Sequence, residues 1–182
     1  MPAETQRNSL QAVAPFRLEA LGEPHDRSAF DCGEEALNRY LRTQASQDIR
    51  RRVANCFVAV ELNTGRVAAY YTLASASILL SDLPPEQAKR LPRYPTLPAV
   101  RIGRLAVDSR FQGRGLGMGL LADAALKTLG AAPAAFALLV DAKHERAAEF
   151  YRHHGFEPFA SLPRCLYLPL ATAEKTLLGN QS

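Results

Sequence analysis

Residues 104–117 read Arg-Leu-Ala-Val-Asp-Ser-Arg-Phe-Gln-Gly-Arg-Gly-Leu-Gly. An apolar run that favours a β-strand gives way to a turn with Gly113, Gly115 and Gly117, where a helix begins. The first N–H groups of a helix have no partner inside the helix, and the helix dipole favours negative charge at that end. Glycines let an anion approach the backbone closely, and Arg110 and Arg114 add positive charge. The stretch therefore predicts a strand, an anion-binding loop and a helix.

The glycine spacing excludes the two commonest phosphate-binding loops. A nucleotide P-loop needs a Lys-Ser/Thr pair after the glycines, and none follows here. A Rossmann loop needs Gly-x-Gly-x-x-Gly, whereas every second residue from Gly113 to Gly119 is glycine. Residues 112–117 instead resemble the Gln/Arg-x-x-Gly-x-Gly/Ala pyrophosphate loop of the GCN5-related N-acetyltransferases, the GNAT family, which bind acetyl-coenzyme A. A tight, solvated strand-to-helix turn is the alternative interpretation of this short motif.

A second segment, farther along the chain, resembles the same family. The pattern predicts a buried strand over residues 136–142 and a helix over residues 145–153 that ends at a glycine. The Phe-Tyr-x-x-x-Gly-Phe motif at residues 150–156 resembles the second GNAT signature. Tyr151 lies four residues after Ala147 and therefore shares a helix face with it. The resemblance implies that Tyr151 donates a proton to the departing coenzyme A sulfur, and a tyrosine that only packs its ring is the alternative.

Composition favours one catalytic domain. The chain has 182 residues, 47% of them hydrophobic, which is enough for a substantial core. We expect a flexible N-terminal arm over residues 1–14 and a single GNAT domain over residues 15–182. No apolar run is long enough to span a membrane, and the N-terminal residues do not resemble a signal peptide. The three cysteines are far apart, so we expect neither disulfides nor a metal site, and a cytoplasmic location.

Net positive charge is confined to the middle of the chain. Residues 39–114 contain thirteen Lys or Arg and five Asp or Glu, whereas residues 1–38 contain three and seven, and residues 115–182 contain six and six. If the basic residues converge in space, they fit a polyanion larger than coenzyme A. A solvated helix and turn surface is the alternative. The residues that we single out as candidate contacts to such a polyanion are Arg51, Arg52, Arg90 and Arg93.

The remaining pattern predicts an α/β fold with a mixed, mostly antiparallel sheet flanked by helices. A turn at residues 63–65 is typical of a hairpin, and prolines between residues 81 and 98 leave room only for a short helix. Asp31 is the predicted cap of a helix that extends to about Arg50. We predict strands over residues 16–21, 55–62, 66–75, 99–107, 136–142 and 165–168, and helices over residues 86–91, 116–129 and 145–153.

Several more motifs resemble the GNAT-type toxins of bacterial toxin–antitoxin pairs, over roughly residues 16–170. They include Leu-Pro-Arg-Tyr-Pro at residues 91–95, Arg-Leu-Ala-Val-Asp at residues 104–108 and Leu-Tyr-Leu-Pro at residues 166–169. The resemblance implies a toxin that transfers acetyl from acetyl-coenzyme A to the amino group of an aminoacyl-tRNA and so blocks translation. It also implies a ribbon-helix-helix antitoxin as partner, and a homodimer.

The same resemblance assigns the cofactor-binding residues. Backbone groups of the strand would bind the pantetheine and the acetyl carbonyl, the latter as oxyanion stabilisation. The pyrophosphate would be bound by the glycine loop. The residues implied are Leu105, Ala106, Val107, Gln112, Gly113, Arg114, Gly115, Leu116 and Gly117. His144 occupies a position where many GNAT enzymes carry Asn, and an exposed histidine at a helix start is the simpler expectation.

Two other functions stay open on sequence grounds. A GNAT enzyme that acetylates a protein N-terminus or a small amine would need an acidic acceptor pocket, which the basic middle segment argues against. A non-catalytic nucleic-acid-binding GNAT module would keep the fold, but a tyrosine at position 151 argues against it. For an aminoacyl ester the amine is largely neutral near physiological pH, because an α-amino group already titrates near 8, so a general base is not required.

Overall fold

The structure is a computed structural model that describes residues 15–179, so the arm predicted over residues 1–14 lies outside the described part. The described strands are β1 (Phe16–Ala20), β2 (Asn55–Glu61), β3 (Val67–Leu79), β4 (Thr96–Val107), β5 (Ala137–Asp141), β6 (Glu157–Pro158) and β7 (Cys165–Pro169). They form one sheet in the order β1-β2-β3-β4-β5-β7-β6. Within it β4 and β5 are parallel and the other neighbours are antiparallel, which confirms the predicted mixed sheet.

The described helices are α1 (Glu35–Arg39), α2 (Ala45–Arg50), α3 (Pro85–Ala88), α4 (Leu116–Leu129), α5 (Glu145–His153) and α6 (Leu170–Gly179). A π-helical turn, Tyr40–Gln44, joins α1 to α2. The predicted bounds of α4 and α5 are confirmed. The helix predicted over residues 86–91 is shorter and begins one residue earlier, and α6 and β6 were not predicted. No helix within residues 15–179 is long and apolar enough to cross a membrane.

The prediction that Asp31 caps the first helix is wrong. Helix α1 begins after Glu34, whose side chain makes no capping hydrogen bond. The carboxylate of Asp31 instead accepts hydrogen bonds from the backbone N–H of Gly33, at 2.9 Å, and from the side-chain amide of Asn38, at 2.8 Å. These bonds close the loop before the helix, so the acidic side chain stabilises the turn rather than the helix end.

The sheet separates two parts of the core. Successive residues of a strand point to opposite faces, and Tyr70 and Tyr71 of β3 are both fully buried on opposite sides. The hydroxyl of Tyr70 donates to the carbonyl of Leu37 in α1, at 2.8 Å. That of Tyr71 donates to the carboxylate of Asp123 in α4, at 2.5 Å. These two strand residues thus attach α1 and α2 to one face and α4 to the other.

Strand β3 continues four residues beyond its predicted end at residue 75. It pairs with β4 as far as Leu79, which lies opposite Thr96, whereas its pairing with β2 stops at Leu73. Residues 74–79 therefore have no strand partner on the β2 side among the described residues. The alternating Ala and Ser of this segment have little intrinsic strand preference, so only the pairing with β4 makes it a strand.

Candidate active site

A β-bulge in β4 opens a cleft in the middle of the sheet. Tyr71 lies opposite Leu105 and Leu73 opposite Ile102, so Gly103 and Arg104 together face the single residue Thr72. Past Ile102, β4 has no pairing with β5, although β4 continues to Val107. Backbone groups on that side of β4 consequently have no β5 partner, and the two strands diverge.

The residue type at position 103 is fixed by this bulge. The hydroxyl of Thr72 accepts a hydrogen bond from the backbone N–H of Arg104, at 3.0 Å. A Cβ atom on Gly103 would lie 3.0 Å from the same hydroxyl, closer than side chains normally approach. Glycine therefore lets Thr72 hold the bulge, and the bulge places the next side chains over the cleft.

The cleft has a volume of about 470 Å³ and is lined from three directions. Strand β4 contributes residues 102–105, and the end of β5 with α5 contributes residues 141–144, Ala147 and Tyr151. The third side is α1 and the residues flanking it, among them Glu34, Leu37 and Tyr40. Tyr151 and Ala147 therefore share the cleft, as their spacing on one helix face predicts.

Tyr151 is only 9% exposed. Its ring packs edge-on against the rings of Phe150 and Phe156, with centroids 5.3 and 5.5 Å away. The hydroxyl makes no hydrogen bond to any other residue in the described range, so it is free to contact a bound molecule. Burial raises the pKa of Tyr151 to about 12, which keeps the phenol protonated at neutral pH.

The three β4 residues expected to bind the cofactor do not face the same way. Leu105 and Val107 pack towards α4 and α5, the face that carries Tyr151. Ala106 is buried with Tyr70 on the α1 face, so only its backbone could contact a molecule on the Tyr151 side. The strand thus offers backbone groups and two apolar side chains to the α5 side of the cleft.

The glycine loop lies at the start of α4, beside a second cleft of about 400 Å³. Gly113 and Gly115 both have a φ of +78°, a conformation that residues with a Cβ adopt only under strain. Gly115 is the N-cap of α4 and supplies no side-chain cap, so the first backbone N–H groups of the helix remain available. Leu116 begins the helix, and its side chain lines this cleft too.

Gly117 has a packing role besides the one that the sequence predicts. A Cβ atom there would lie 3.0 Å from the ring of Phe150 in α5. The missing side chain therefore lets α5 pack close to α4. Phe150 also borders the second cleft, together with His153 and His154.

The arginines of the loop also differ in role. Arg110 forms a two-pronged ion pair with Asp108, in which Nε and Nη2 donate at 2.9 and 2.8 Å. Burial opposes ionisation of Asp108, but the hydrogen bonds from Arg110 and from the backbone of Asp31 outweigh it and lower the pKa. Most of the charge of Arg110 is thus neutralised, contrary to its expected role at the anion site. Arg114 is exposed, with its guanidinium 5.4 Å from the ring centre of Phe111.

Asp108 also ties the loop before α1 to the glycine loop. Its carboxylate accepts from the backbone N–H of Asp31, at 3.0 Å. The side-chain amide of Gln112 donates to the carbonyl of Val107, at 3.0 Å, and to that of Cys32, at 3.4 Å. Gln112 is therefore directed back at the protein and braces the turn.

His144 is the N-cap of α5. Its Nδ1 accepts a hydrogen bond from the backbone N–H of Ala147, at 3.1 Å, and its side chain is 53% exposed. Its Nε2 lies 3.7 Å from the carboxylate of Glu34 across the cleft. The expectation of an exposed histidine at a helix start agrees with this position, and the ring also forms part of the cleft rim.

The four arginines singled out as polyanion contacts, which the toxin resemblance assigns to tRNA, form two groups beside different parts of β3. Arg51 and Arg52 follow α2, and Arg52 lies beside residues 73–75. Arg90 and Arg93 follow α3, and Arg93 lies beside residues 79–81. At ~3.3 Å per strand residue, the two groups are about 20 Å apart. They form two basic areas along one edge, not a single patch.

Two residues of the cleft were missed by the sequence analysis. The guanidinium of Arg104 lies 3.5 Å from the ring centre of Tyr40, a stacked arrangement. The sequence places Arg104 in a family motif without a role and does not single out Tyr40, because the pair is formed by contacts between distant segments. No group of three or more His, Cys, Asp or Glu within residues 15–179 is arranged to hold a metal ion.

Comparisons with known proteins agree with this geometry. The acetyltransferase (GNAT) domain family matches residues 54–158. The chain is 36% identical over 169 residues to the "tRNA-acetylating toxin" of Mycobacterium tuberculosis H37Rv, covering 92% of this chain and 97% of that protein. A solved structure of AtaT in complex with acetyl-methionyl-tRNAfMet is similar with a TM-score of 0.81 and 31% identity, covering 89% of this chain and 99% of that one.

A second structure of AtaT extends the likeness. It is a tyrosine-to-phenylalanine variant bound to acetyl-CoA and to the C-terminus of the antitoxin AtaR, with a TM-score of 0.74 and 28% identity. The match covers 90% of this chain and 99% of that one. The chain therefore belongs to the GNAT acetyltransferase family, among those members that are toxins of toxin–antitoxin pairs.

Proposed function

We propose that this protein is a toxin that transfers the acetyl group of acetyl-coenzyme A to the amino group of an aminoacyl-tRNA and thereby blocks translation. The observation that carries the proposal is the position of the Tyr151 hydroxyl. It has no other partner among the described residues and lines the cleft where β4 leaves β5. Relatives with the same fold are a tRNA-acetylating toxin and a toxin in complex with an acetylated aminoacyl-tRNA.

The residues present fit acetyl-coenzyme A. The amides at the start of α4 and the nearby Arg114 suit the pyrophosphate, because a helix N-terminus attracts anions. Residues 105–107 have no β5 partner, and this side of the strand offers backbone groups and the apolar side chains of Leu105 and Val107 to the pantetheine. When bound, acetyl-coenzyme A supplies the activated thioester that the amine attacks.

In this mechanism the protein stabilises charge and supplies one proton. A backbone N–H of β4 donates to the acetyl oxygen as negative charge develops on it. The C–N bond forms, the C–S bond breaks, and Tyr151 donates its proton to the departing sulfur. The nitrogen of the new amide loses its extra proton to solvent, and solvent returns a proton to Tyr151. Glu34 and His144 border the cleft, but an α-amino ester is sufficiently neutral at physiological pH to attack without a general base.

The cleft fits an aminoacyl-tRNA better than a small cationic amine. Its carboxylates are paired with cations of the same region: Glu34 with Lys143, at 3.2 Å, and Asp141 with Arg101. Arg104 adds a positive charge that no carboxylate pairs within the described range. A polyamine or drug cation would meet a neutral to positive cleft, whereas a nucleic acid would be attracted to it.

The decisive experiment is incubation of the protein with labelled acetyl-coenzyme A and a total aminoacyl-tRNA pool. We expect label in the tRNA fraction that is released as an N-acetyl amino acid when the ester is hydrolysed. Uncharged tRNA is the control, because it offers no α-amino group. If label appears instead on a protein or a small amine, the acceptor assignment is wrong.

We also propose an antitoxin partner, a small protein with a ribbon-helix-helix DNA-binding part that covers the cofactor or tRNA site. The support is the family resemblance and the AtaT structure bound to the C-terminus of an antitoxin. A neighbouring gene should encode it, and its co-expression should restore growth that this chain alone arrests. If expression of this chain alone leaves growth unaffected, the toxin assignment fails. A cytoplasmic location goes with this proposal, because tRNA is the substrate.

A homodimer is the last part of the proposal. The unpaired edge of β3 over residues 74–79 carries no charge and no proline, the two features that usually prevent edge pairing. A second copy can pair with this edge around a two-fold axis. Ser77→Pro should then convert a dimer to a monomer in light scattering, and an unchanged mass would place the interface elsewhere.

A further inference from the structure

Arg104 is held in one position by the residues around it. Its backbone is fixed in the β4 bulge, and its guanidinium lies flat on the ring of Tyr40, 3.5 Å from the ring centre. Tyr40 itself is only 4% exposed, and its hydroxyl donates to the carboxylate of Asp48, at 2.9 Å. Its ring is stacked on that of Tyr70, with centroids 6.2 Å apart. The cation therefore rests on a rigid aromatic surface.

The hydrogen-bonding groups of this guanidinium are unused. Of the other Lys and Arg side chains that line the cleft, Lys143 is paired with Glu34, and Arg39 is exposed to solvent. Arg101, also on β4, is paired with Asp141. The side chain of Arg104 makes neither an ion pair nor a hydrogen bond within residues 15–179. An arginine that is partly buried in a cleft has lost some hydration, and stacking on Tyr40 leaves its N–H edge free. Such an edge fits a planar or tetrahedral anion with two adjacent oxygens.

The position of Arg104 indicates which anion it meets. It follows Gly103 on β4, so it lies at the mouth of the same cleft that Tyr151 lines. Its side chain is on the α1 face, whereas Leu105 and Val107, the residues suited to the pantetheine, are on the α5 face. The strand thus separates Arg104 from the side chains suited to the pantetheine, so Arg104 is available to the acceptor rather than to the cofactor.

We propose that Arg104, stacked on Tyr40, binds the 5′-phosphate of the terminal nucleotide that carries the aminoacyl ester. The inference rests on the proposed function, because it requires an aminoacyl ester of a nucleotide as acceptor. That phosphate is the anion nearest to the reacting amine, since only the ribose and the ester lie between them. The exposed arginines beside β3 would contact the tRNA body, whereas Arg104 would select the end that reacts.

The test uses two acceptors prepared from one aminoacyl-tRNA pool. Digestion with S1 nuclease leaves the aminoacyl ester on adenosine 5′-monophosphate, and digestion with ribonuclease A leaves it on adenosine without a phosphate. We expect the wild-type protein to acetylate the phosphorylated acceptor with a kcat/KM about tenfold to 100-fold higher, the effect of a charge-assisted hydrogen bond. Arg104→Gln should bring the two values together by lowering only the phosphorylated one.

Two further variants separate recognition from structure. Arg104→Lys keeps the charge but loses the planar fork and should retain only part of the preference. Arg146→Gln removes an exposed arginine on α5 that is not part of the cleft, and should keep the whole preference. Unchanged acetyl-coenzyme A affinity and thermal unfolding in Arg104→Gln would show that the protein is folded.

The outcomes distinguish this inference from the proposed function. If the wild-type protein acetylates both acceptors equally, or if Arg104→Gln keeps the preference, phosphate recognition by Arg104 is wrong while aminoacyl transfer stands. If the wild-type protein acetylates neither these acceptors nor intact aminoacyl-tRNA although it binds acetyl-coenzyme A, the proposed function is wrong and this inference is wrong with it.

Discussion

At the scale of single residues, Tyr151 combines burial with an unoccupied hydroxyl, and this defines a prediction. Tyr151→Phe removes only the proton donor and keeps the ring between Phe150 and Phe156. Acetyl transfer should fall about 100-fold to 10,000-fold, the usual effect of losing a general acid. Acetyl-coenzyme A affinity should stay unchanged. Single-turnover measurement of acetyl-aminoacyl-tRNA formation tests this.

The matched control is Tyr167→Phe. Tyr167 is fully buried and its hydroxyl donates to Gln87 and Glu157, at 2.8 and 3.0 Å, away from the cleft. Its loss should lower stability but not the rate of acetyl transfer. Wild-type turnover in Tyr151→Phe would leave position 151 with a packing role only.

The raised pKa of Tyr151 predicts the pH dependence of the reaction. Tyr151 acts in its protonated form, and its pKa of about 12 means that this form persists well above the pKa near 10 of an ordinary tyrosine. The rate should therefore rise as the amine loses its proton and then stay level through about pH 10. If single-turnover rates decline around pH 10, the proton donor is an ordinary, solvated group and not the buried Tyr151.

The glycine loop allows a test in which a bulky substitution is compared with a matched control. Gly115→Trp should abolish measurable acetyl-coenzyme A binding in calorimetry, because the side chain would cover the amides at the start of α4. Gly65→Trp is the control, since Gly65 has a similar φ of +70° and open space around it, so both variants carry the same backbone strain. Wild-type affinity in a folded Gly115→Trp protein would mean that the pyrophosphate binds elsewhere.

At the scale of elements, the site depends on how the helices are joined to the sheet, and Asp108 holds together two of the connecting loops. Its carboxylate bonds the loop before α1 and the loop before α4 at once, through Asp31 and Arg110. Asp108→Asn cannot accept all these bonds, so unfolding should cost about 1 to 3 kcal/mol less, as for a buried donor left unpaired. Acetyl-coenzyme A should bind more weakly, because the glycine loop loses its support.

Chemical denaturation and calorimetry of the same variant measure the two effects. Asp26→Asn is the control, since Asp26 is bonded only by Ser28 at the surface. The lowered pKa of Asp108 also predicts how stability depends on pH. The contribution of its carboxylate to stability is complete above the pKa range of an ordinary aspartate, and it is lost as the pH falls through the lower pKa of the folded state. A variant that matches the wild-type protein in stability and affinity would show that the two loops are independent.

Much of this element level is predictable from sequence, and the reasons for success and failure are physical. Helices α4 and α5 have clear periodicity and end signals, so their bounds are predicted closely. The bulge at Gly103 and the stack of Arg104 on Tyr40 depend on contacts between distant segments. The packing of Gly117 against Phe150 could not be predicted either, because Phe150 comes from another helix. Local patterns reveal elements and motifs, whereas the geometry of a cleft depends on how the elements meet.

At the scale of the whole molecule, the two faces of the sheet carry different parts of the site, and the β4 bulge lies between them. The α4–α5 face carries the glycine loop and Tyr151, and the α1–α2 face carries Tyr40 and Arg104. The two arginine groups lie beside different parts of β3, Arg52 near residues 73–75 and Arg93 near residues 79–81. A long polyanion that delivers one end to the cleft can contact both groups, whereas a small amine cannot.

The last prediction concerns this charge distribution. Charge reversal of Arg51 and Arg52, or of Arg90 and Arg93, should raise the KM for aminoacyl-tRNA and leave acetyl-coenzyme A binding nearly intact, because phosphate contacts dominate nucleic-acid affinity. Each lost contact should flatten the dependence of log affinity on log salt by about one unit of slope. Steady-state kinetics across a salt series measures both effects.

The control must change net charge equally without touching the basic areas. Reversal of Arg17 and Lys175, exposed residues outside residues 39–114, shifts the net charge by the same amount. If that pair alters the KM as much as the two test pairs do, long-range attraction by total charge explains the effect. If neither test pair changes the KM at low or moderate salt, the arginines are a solvated surface, and the tRNA must be held by the cleft and Arg104 instead.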